Sequence, residues 1–133
     1  MIIKKYIKGQ PVQLSPHFST TEFDCKCHYP ECKETLIDMN LVEKLDTLRN
    51  KLGKPVSLDC AYRCPRHNAE VGGVVNSEHI KGIAADINAA AMNIEPADLA
   101  KICEEVGFDG IGTYPTKHFV HADTRGAPAR WVG

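Results

Sequence analysis

Several features that would define other protein classes are absent from this chain of 133 residues. It has no excess of charge of one sign, since 16 Lys and Arg face 17 Asp and Glu. A nucleic-acid-binding domain usually carries a strongly basic face, so we expect no nucleic-acid partner. The longest apolar runs fall far short of the about 20 residues that span a bilayer, which predicts no transmembrane segment. Repeats and low-complexity tracts are also lacking, and the length fits one domain.

The N-terminus lacks the unbroken apolar stretch of a secretory signal. Residues 1–8 interleave lysines with apolar residues, whereas a signal peptide places its charges before a continuous apolar segment. We therefore expect synthesis in the cytoplasm without a signal peptide. We also expect the protein to be a monomer.

Cysteine, in contrast, is abundant, with six residues. Three cysteines and a histidine lie close together in the sequence: Cys25, Cys27, His28 and Cys32. Their spacing differs from the C-x-x-C pairs of zinc ribbons, so a second, structural zinc site and a set of reduced thiols both stay open. Cys60 and Cys64 are spaced for a local bridge under oxidising conditions. Cys103 lies in an apolar helical pattern and is predicted to be core.

Hydrophobic periodicity predicts a mixture of helices and short strands. The clearest helix runs from Asp38 to Leu52, with leucines at steps of three and four residues, Asp38 as its cap and Gly53 at its end. The other predicted elements are a short capped helix from residue 19, strands over 56–60, 83–87, 108–111 and 119–122, and helices over 65–71 and 96–106. This order lacks a regular βαβ repeat and predicts a single α+β domain with a small antiparallel sheet and flanking helices. Residues 1–35 would form an N-terminal arm and a cysteine-rich loop, and residues 38–133 the main part of the domain.

The segment 77–86 carries the clearest chemical signal, because His79 lies seven residues before Asp86. In a strand over 82–87, Asp86 shares a face with Gly82 and Ala84. Such small neighbours leave space for a metal ion and a substrate, while the isoleucines of the other face can pack on a core. The alternative is that Asp86 caps a neighbouring helix.

A second histidine block follows at 118–123. Phe119, His121 and Asp123 share a face if this segment is a regular strand. Two imidazoles and one carboxylate are usual protein ligands of a catalytic zinc, which keeps a fourth position open. Asp123 is a candidate acceptor for the second ring nitrogen of His121, although a satisfied core histidine and a solvated loop charge remain alternatives. Together the two blocks favour a metal-dependent hydrolase over a binding module.

Combined, the pattern Ser-x-His-x-x-Gly-x-Ala-x-Asp at 77–86 and Phe-Val-His-x-Asp at 119–123 resembles the zinc D-Ala-D-Ala carboxypeptidases and their peptidoglycan endopeptidase relatives. The resemblance covers about residues 38–133. Further blocks that are similar to this family stand at 61–68, 71–73, 110–114 and 124–125. The arm at 13–35 resembles leader segments of phage-type members.

The resemblance implies a Hedgehog/DD-peptidase-like fold with Zn²⁺ held by His79, Asp86 and His121. It implies that Arg63 faces the site, where it would hold the substrate or stabilise an oxyanion; a surface charge is the alternative. The implied reaction is hydrolysis of an amide bond in peptidoglycan stem peptides, adjacent to D-Ala. With no signal peptide expected, this fits a cell-wall lysin that acts after phage-mediated release.

The general base is the point where this chain departs from the family. Many relatives carry an acidic base three residues before the last histidine ligand, and here that position is His118. Histidine can act as a base near neutral pH, so we predict His118 for this role. A regular strand would point His118 away from His121, so the role requires a departure from strand geometry just before Phe119. Asp123 and Glu78 are the alternatives.

Two functions of other classes also stay open. One is a zinc-containing but catalytically silent Hedgehog-like binding module, which the absence of a usable base would favour. The other is a structural phage tail component with residual hydrolase activity.

Overall fold

The chain folds into seven strands and three α-helices, and the computed structural model describes all residues 1–133. In chain order these elements are β1 Ile3–Ile7, β2 Glu34–Asp38, α1 Met39–Leu52, β3 Leu58–Cys60, α2 Pro65–Glu70, β4 Ala84–Asn88, α3 Pro96–Val106, β5 Gly110–Tyr114, β6 Phe119–Asp123 and β7 Ala129–Val132. The α+β prediction is confirmed. No helix is both long enough and apolar enough to cross a membrane.

Helix α1 forms where the periodicity predicts it. Asp38 caps its first turn by accepting a hydrogen bond from the Asn40 backbone N–H at 3.2 Å. Gly53 ends the helix in the left-handed region at φ 67°, a conformation that glycine adopts without steric cost. The helix buries one apolar stripe, made of Leu41, Val42, Leu45 and Leu48. That stripe supplies much of the hydrophobic core.

The main sheet has five strands in the order β3-β4-β6-β5-β7. All neighbours are antiparallel except β5 and β7, which are parallel. The antiparallel prediction therefore holds for four strands, while β7 was not predicted. Helix α3 packs on β5 and β6, and α1 packs on α3. Fully buried side chains from alternate positions of β4 and β6 face the core: Ala85, Ile87, Val120 and Ala122. The other face of these strands is left free for a site.

The N-terminal arm is more ordered than the sequence predicts. Strand β1 pairs antiparallel with β2, although residues 25–35 were predicted to be a loop. Between these strands, Thr20–Phe23 forms a single 3-10 turn where a short capped helix was predicted, and the Ser19 N–H donates to Glu22 Oε2 at 2.8 Å. Phe18 and Phe23 are buried in the same core cluster as α1. The arm therefore contributes to the main core.

A buried carboxylate joins the arm to the rest of the fold. Asp38 is fully buried, and besides capping α1 it accepts hydrogen bonds from the Ile2 N–H at 2.9 Å and from Thr124 Oγ1 at 2.6 Å. Its own N–H donates to the carbonyl oxygen of Gly82. One side chain thus links β1, α1 and the end of β6.

We expect Asp38→Ala to lower the free energy of unfolding by about 2–4 kcal/mol, because it removes a helix cap and leaves buried donors without an acceptor. Urea denaturation followed by circular dichroism measures this change. Glu104→Ala is the matched control, since Glu104 is an exposed acidic residue of α3 and should change stability by no more than about 0.5 kcal/mol. Equal effects of the two substitutions would contradict this role for Asp38.

Candidate metal centre

Strand pairing places one row of residues across the sheet. Successive partners on the five strands are Cys60, Asp86, His121, Gly112 and Trp131. Partners in register lie on the same face of a sheet, so this row occupies the face opposite the core. Asp86 thereby lies between Cys60 and His121, and the ligands predicted from two distant segments become neighbours.

Both histidines point one ring nitrogen at the same carboxylate oxygen. His79 Nε2 and His121 Nδ1 each lie 3.2 Å from Asp86 Oδ1. The second ring nitrogen of each histidine contacts an oxygen on the side away from Asp86. His79 Nδ1 lies 2.7 Å from the Ala61 carbonyl oxygen, and His121 Nε2 lies 2.7 Å from Asp123 Oδ2. When each imidazole is neutral and its N–H donates to these acceptors, the nitrogen that faces Asp86 has a lone pair available to a metal ion.

This donor set fits a zinc ion. A tetrahedral zinc with bonds of about 2.0–2.1 Å to nitrogen and oxygen separates its donors by about 3.3–3.4 Å, close to the 3.2 Å found here. The backing of both imidazoles by carbonyl or carboxylate groups is also typical of zinc sites. Cys60 lies within 4.8 Å of His79 and Asp86 donor atoms, but its Sγ faces His79 Nδ1 at 3.7 Å, the nitrogen that Ala61 already engages. His121 Nδ1 approaches Asp86 at 3.2 Å but is not part of this three-residue group, so His121 as third ligand stays a prediction.

The loop before β4 sets the position of His79. The His79 N–H donates to Ser77 Oγ at 3.2 Å. The His79 carbonyl oxygen accepts from the N–H groups of Arg63 and Gly82. Gly82 has φ 79°, and a Cβ there would lie 2.6 Å from the backbone oxygen of Leu36. Only glycine lets this loop pack so closely on β2.

Asp123 holds His121 and is fully buried. Besides His121, its carboxylate accepts from the Gly110 N–H at 3.0 Å and from the guanidinium of Arg125 at 2.7–3.1 Å. Burial opposes its charged form, but the hydrogen bonds from His121 and Arg125 outweigh this and hold the pKa of Asp123 well below its usual range. With both oxygens engaged, Asp123 orients His121 and is not free to accept a proton from a substrate.

A cavity of about 530 Å³ opens in front of these ligands. Its polar lining includes Arg63, Glu78 and Lys117 beside the three ligands. The Arg63 guanidinium is fixed there, because Nη1 donates to Asn68 Oδ1 at 2.8 Å and Nη2 donates to Cys60 Sγ at 3.4 Å. Arg63 and Glu78 thus lie at the cavity where the sequence placed them as candidates.

His118 does not lie at this cavity. Its backbone has φ 58°, so the predicted departure from strand geometry just before Phe119 is present. The His118 side chain nevertheless lines a different cavity, together with Asn93, Glu95 and Asp98. The left-handed backbone of His118 leads into β6, but the His118 imidazole does not lie on the face of the sheet that carries His121. His118 as general base therefore stays a prediction, with its imidazole at a cavity other than the one in front of His79, Asp86 and His121.

An aromatic wall beside the ligands was missed by sequence reasoning. The Trp131 ring centroid lies 5.1 Å from that of His121, and Trp131 Nε1 donates to the Tyr114 hydroxyl at 2.9 Å. A Cβ on Gly112 would lie 2.4 Å from the indole, so a glycine is needed here for the Trp131 ring to pack over this strand. Tyr114 lies in one of the blocks that carry the family resemblance, whereas no sequence signal placed Trp131.

The histidine–carboxylate pairs change the protonation of the site. Burial disfavours the protonated form of His79, but its hydrogen bonds to Asp86 and Cys60 outweigh this effect and raise its pKa to about 10. The pKa of His121 is raised in the same way, against burial, by Asp123 and Asp86. Burial opposes ionisation of Asp86 as well, yet both histidines hold its pKa well below the usual range. Without a metal ion, protons bridge these residues.

This predicts a pH dependence for the protein stripped of metal by a chelator. Because the pKa of His79 is raised in the folded state to about 10, its pairing with Asp86 contributes fully below about pH 6.5, the unfolded value. The contribution is lost as the pH rises toward 10. The stability advantage of the wild type over His79→Gln, measured by urea denaturation at pH 6, 8 and 10, should fall along this series. An advantage that stays constant or grows would contradict the assignment.

Comparisons with known proteins identify the family of this chain. A model of the Peptidase M15 family matches residues 16–123. Probable peptidoglycan L,D-endopeptidase MepK of Haemophilus influenzae is 32% identical over 105 residues, which cover 73% of this chain and 55% of that protein. Peptidoglycan L,D-endopeptidase MepK of Escherichia coli K12 is 36% identical over 101 residues, 71% of this chain and 53% of that protein.

A third relative carries the metal in its name. Zinc D-Ala-D-Ala carboxypeptidase of Streptomyces albus G is 32% identical over 90 residues, which cover 66% of this chain and 34% of that protein. The chain spans about half the length of the MepK relatives. The family match includes all three residues of the candidate metal centre, His79, Asp86 and His121. The chain belongs to the Peptidase M15 family.

Proposed function

We propose that this chain is a zinc-dependent peptidase that hydrolyses an amide bond in peptidoglycan stem peptides, adjacent to D-Ala. The observation that carries the proposal is the convergence of His79 Nε2 and His121 Nδ1 on Asp86, at the floor of an open cavity. The membership of the M15 family and the names of its peptidoglycan-acting members support the reaction and the substrate class.

His79, Asp86 and His121 are the residues that would hold the zinc ion. When bound, zinc polarises a carbonyl group and lowers the pKa of a water molecule. The protein's part is to orient both imidazoles so that one nitrogen of each faces Asp86. The Ala61 carbonyl does this for His79, and the Asp123 carboxylate does it for His121.

Arg63 is proposed to bind the substrate carboxylate or the oxygen on which negative charge develops. A fixed guanidinium at the cavity stabilises such charge without having to reorganise. Asn68 supplies the fixation and is itself buried. A Cβ on Gly73 would lie 2.1 Å from Asn68 Oδ1 and 2.8 Å from Arg63 Nη1, so the glycine turn leaves space for this pair.

Glu78 is proposed as the general base. It is the carboxylate that lines the cavity next to Asp86, and only 17% of its side chain is exposed. Lys81 lies 3.4 Å away and limits its movement. The other candidates are less suited, since His118 lines another cavity and both oxygens of Asp123 are engaged. Glu78 would take the proton of the attacking water and pass it to the leaving amine.

The cavity lining suits a small, anionic peptide. Arg63, Lys117 and Arg125 line it with three cations, of which Arg125 is paired with Asp123, and stem peptides carry free carboxylates. Trp131 and Tyr114 offer a flat apolar wall, against which a short side chain such as the methyl group of alanine can pack.

Digestion of purified peptidoglycan tests this function. We expect soluble fragments whose masses show cleavage next to D-Ala, loss of activity with a chelator and recovery with added zinc. His79→Ala should be inactive under the same conditions, and casein should stay intact. Casein digestion with intact peptidoglycan would show that the substrate is wrong. A zinc-loaded protein that binds peptidoglycan without cleaving it would favour the silent binding module.

The base is tested by a pair of variants. Glu78→Gln should retain its zinc yet lose about 10²–10⁴-fold in rate, the contribution expected of a positioned base. His118→Ala is the matched control and should keep near-normal turnover. Steady-state rates on a soluble stem peptide, with metal content measured for each variant, make the comparison. The opposite outcome, a crippled His118→Ala and an active Glu78→Gln, would return the role to His118.

A further inference from the structure

Four of the six cysteines converge on one point away from the candidate metal centre. Three come from the loop after the 3-10 turn and one directly precedes α2: Cys25, Cys27, Cys32 and Cys64. Their Sγ atoms all lie within 4.8 Å of one another. His28, which the sequence places among the first three, is exposed and lies outside this group. Cys64 takes the fourth position instead.

The distances suit metal ligation better than a disulfide. All four cysteines are free, and the sulfurs of Cys27 and Cys64 are 3.8 Å apart, compared with about 2.05 Å in a disulfide. Four thiolates around a tetrahedral zinc, with bonds of about 2.3 Å, are separated by about 3.8 Å. The predicted local bridge between Cys60 and Cys64 is wrong, because Cys60 faces His79 and Cys64 faces this cluster.

Hydrogen-bond donors surround the sulfurs. The Cys64 N–H donates to Cys25 Sγ at 3.3 Å, and the His67 N–H donates to Cys64 Sγ at 3.4 Å. The Lys8 ammonium lies 3.4 Å from Cys27 Sγ and 3.7 Å from Cys32 Sγ. Donors of this kind stabilise sulfur in its thiolate form, the form that binds metal.

Few other interactions stabilise the cysteine-rich loop at residues 25–33. The small apolar cluster under it contains Cys25, Cys27 and Cys64, with Tyr29, Cys32 and Tyr62 against it, and is separate from the main core. Residues 25–33 have few backbone hydrogen bonds outside the strands: the Cys32 N–H donates to the Tyr29 carbonyl oxygen, and the Lys33 carbonyl oxygen accepts from the Lys8 N–H. No aliphatic side chain contributes to this cluster. A metal ion is the kind of interaction that stabilises such a segment, because its binding free energy adds to folding.

We propose that Cys25, Cys27, Cys32 and Cys64 form a structural site for a soft divalent metal ion of the zinc class. Four thiolates prefer such an ion to calcium or magnesium, and they close its coordination so that no position is left for substrate. The site would fasten the N-terminal arm to the start of α2. Because Arg63 directly precedes Cys64, it would also hold the backbone from which Arg63 enters the catalytic cavity.

Metal content per chain tests the proposal independently of the enzymatic activity. Protein purified without chelator and under reducing conditions should contain two zinc ions per chain. Cys27→Ser and Cys64→Ser should each retain one, as should His79→Ala, which removes only the catalytic site. Cys103→Ser is the matched control with two zinc ions, since Cys103 is a buried cysteine of the main core.

A cobalt titration of the His79→Ala variant keeps the test valid even if a cysteine variant fails to fold. One equivalent of Co²⁺ should produce the intense near-ultraviolet charge-transfer bands and the red d–d bands of tetrahedral thiolate coordination. These bands should be absent from the double variant His79→Ala, Cys64→Ser. A folded His79→Ala protein that binds no cobalt, or whose mass reveals disulfides among these cysteines after reducing purification, would overturn the proposal. Loss of catalysis with the bands intact would count only against the proposed function.

Discussion

The register between β4 and β6 is the constraint on which both the core and the candidate site depend. It pairs Asp86 with His121 and, one position along, Ile87 with Val120. The second pair is fully buried against the helices, and side chains alternate between the two faces of a sheet. A slip of one residue would turn the ligands into the core and the apolar pair into the cavity. Apolar packing on one face therefore maintains the ligand geometry on the other.

The short connection between β3 and α2 links the two candidate metal sites. Cys60 lies beside His79 at the candidate metal centre, Arg63 lines the cavity, and Cys64 belongs to the cysteine cluster. Five residues thus run from one site to the other. The N-terminal arm, which looks like an appendage in the sequence, reaches the cavity through this connection. The folding of the N-terminal arm and the position of the Arg63 guanidinium therefore depend on each other.

The sequence predicted those features that depend on local patterns. Helix α1 carried caps and a regular apolar stripe, and β4 and β6 carried alternation that already separated ligands from core residues. Pairing between distant segments could not be predicted from local patterns. Strand β2 forms by pairing with β1, and β7 forms by pairing in parallel with β5. The same limit hid Cys64, which follows Cys32 by more than thirty residues. The cavity that His118 lines was not visible either, because a left-handed backbone residue redirects a chain without changing its sequence pattern.

The aromatic wall has a practical consequence. Trp131 is the single tryptophan of the chain, and its indole lies against the imidazole of His121 with ring centroids 5.1 Å apart. A protonated imidazole quenches indole emission more strongly than a neutral one, so the fluorescence of this residue follows the charge on His121. The emission of Trp131 should therefore change with the protonation of His121, and with any metal ion that displaces its proton, without an added label.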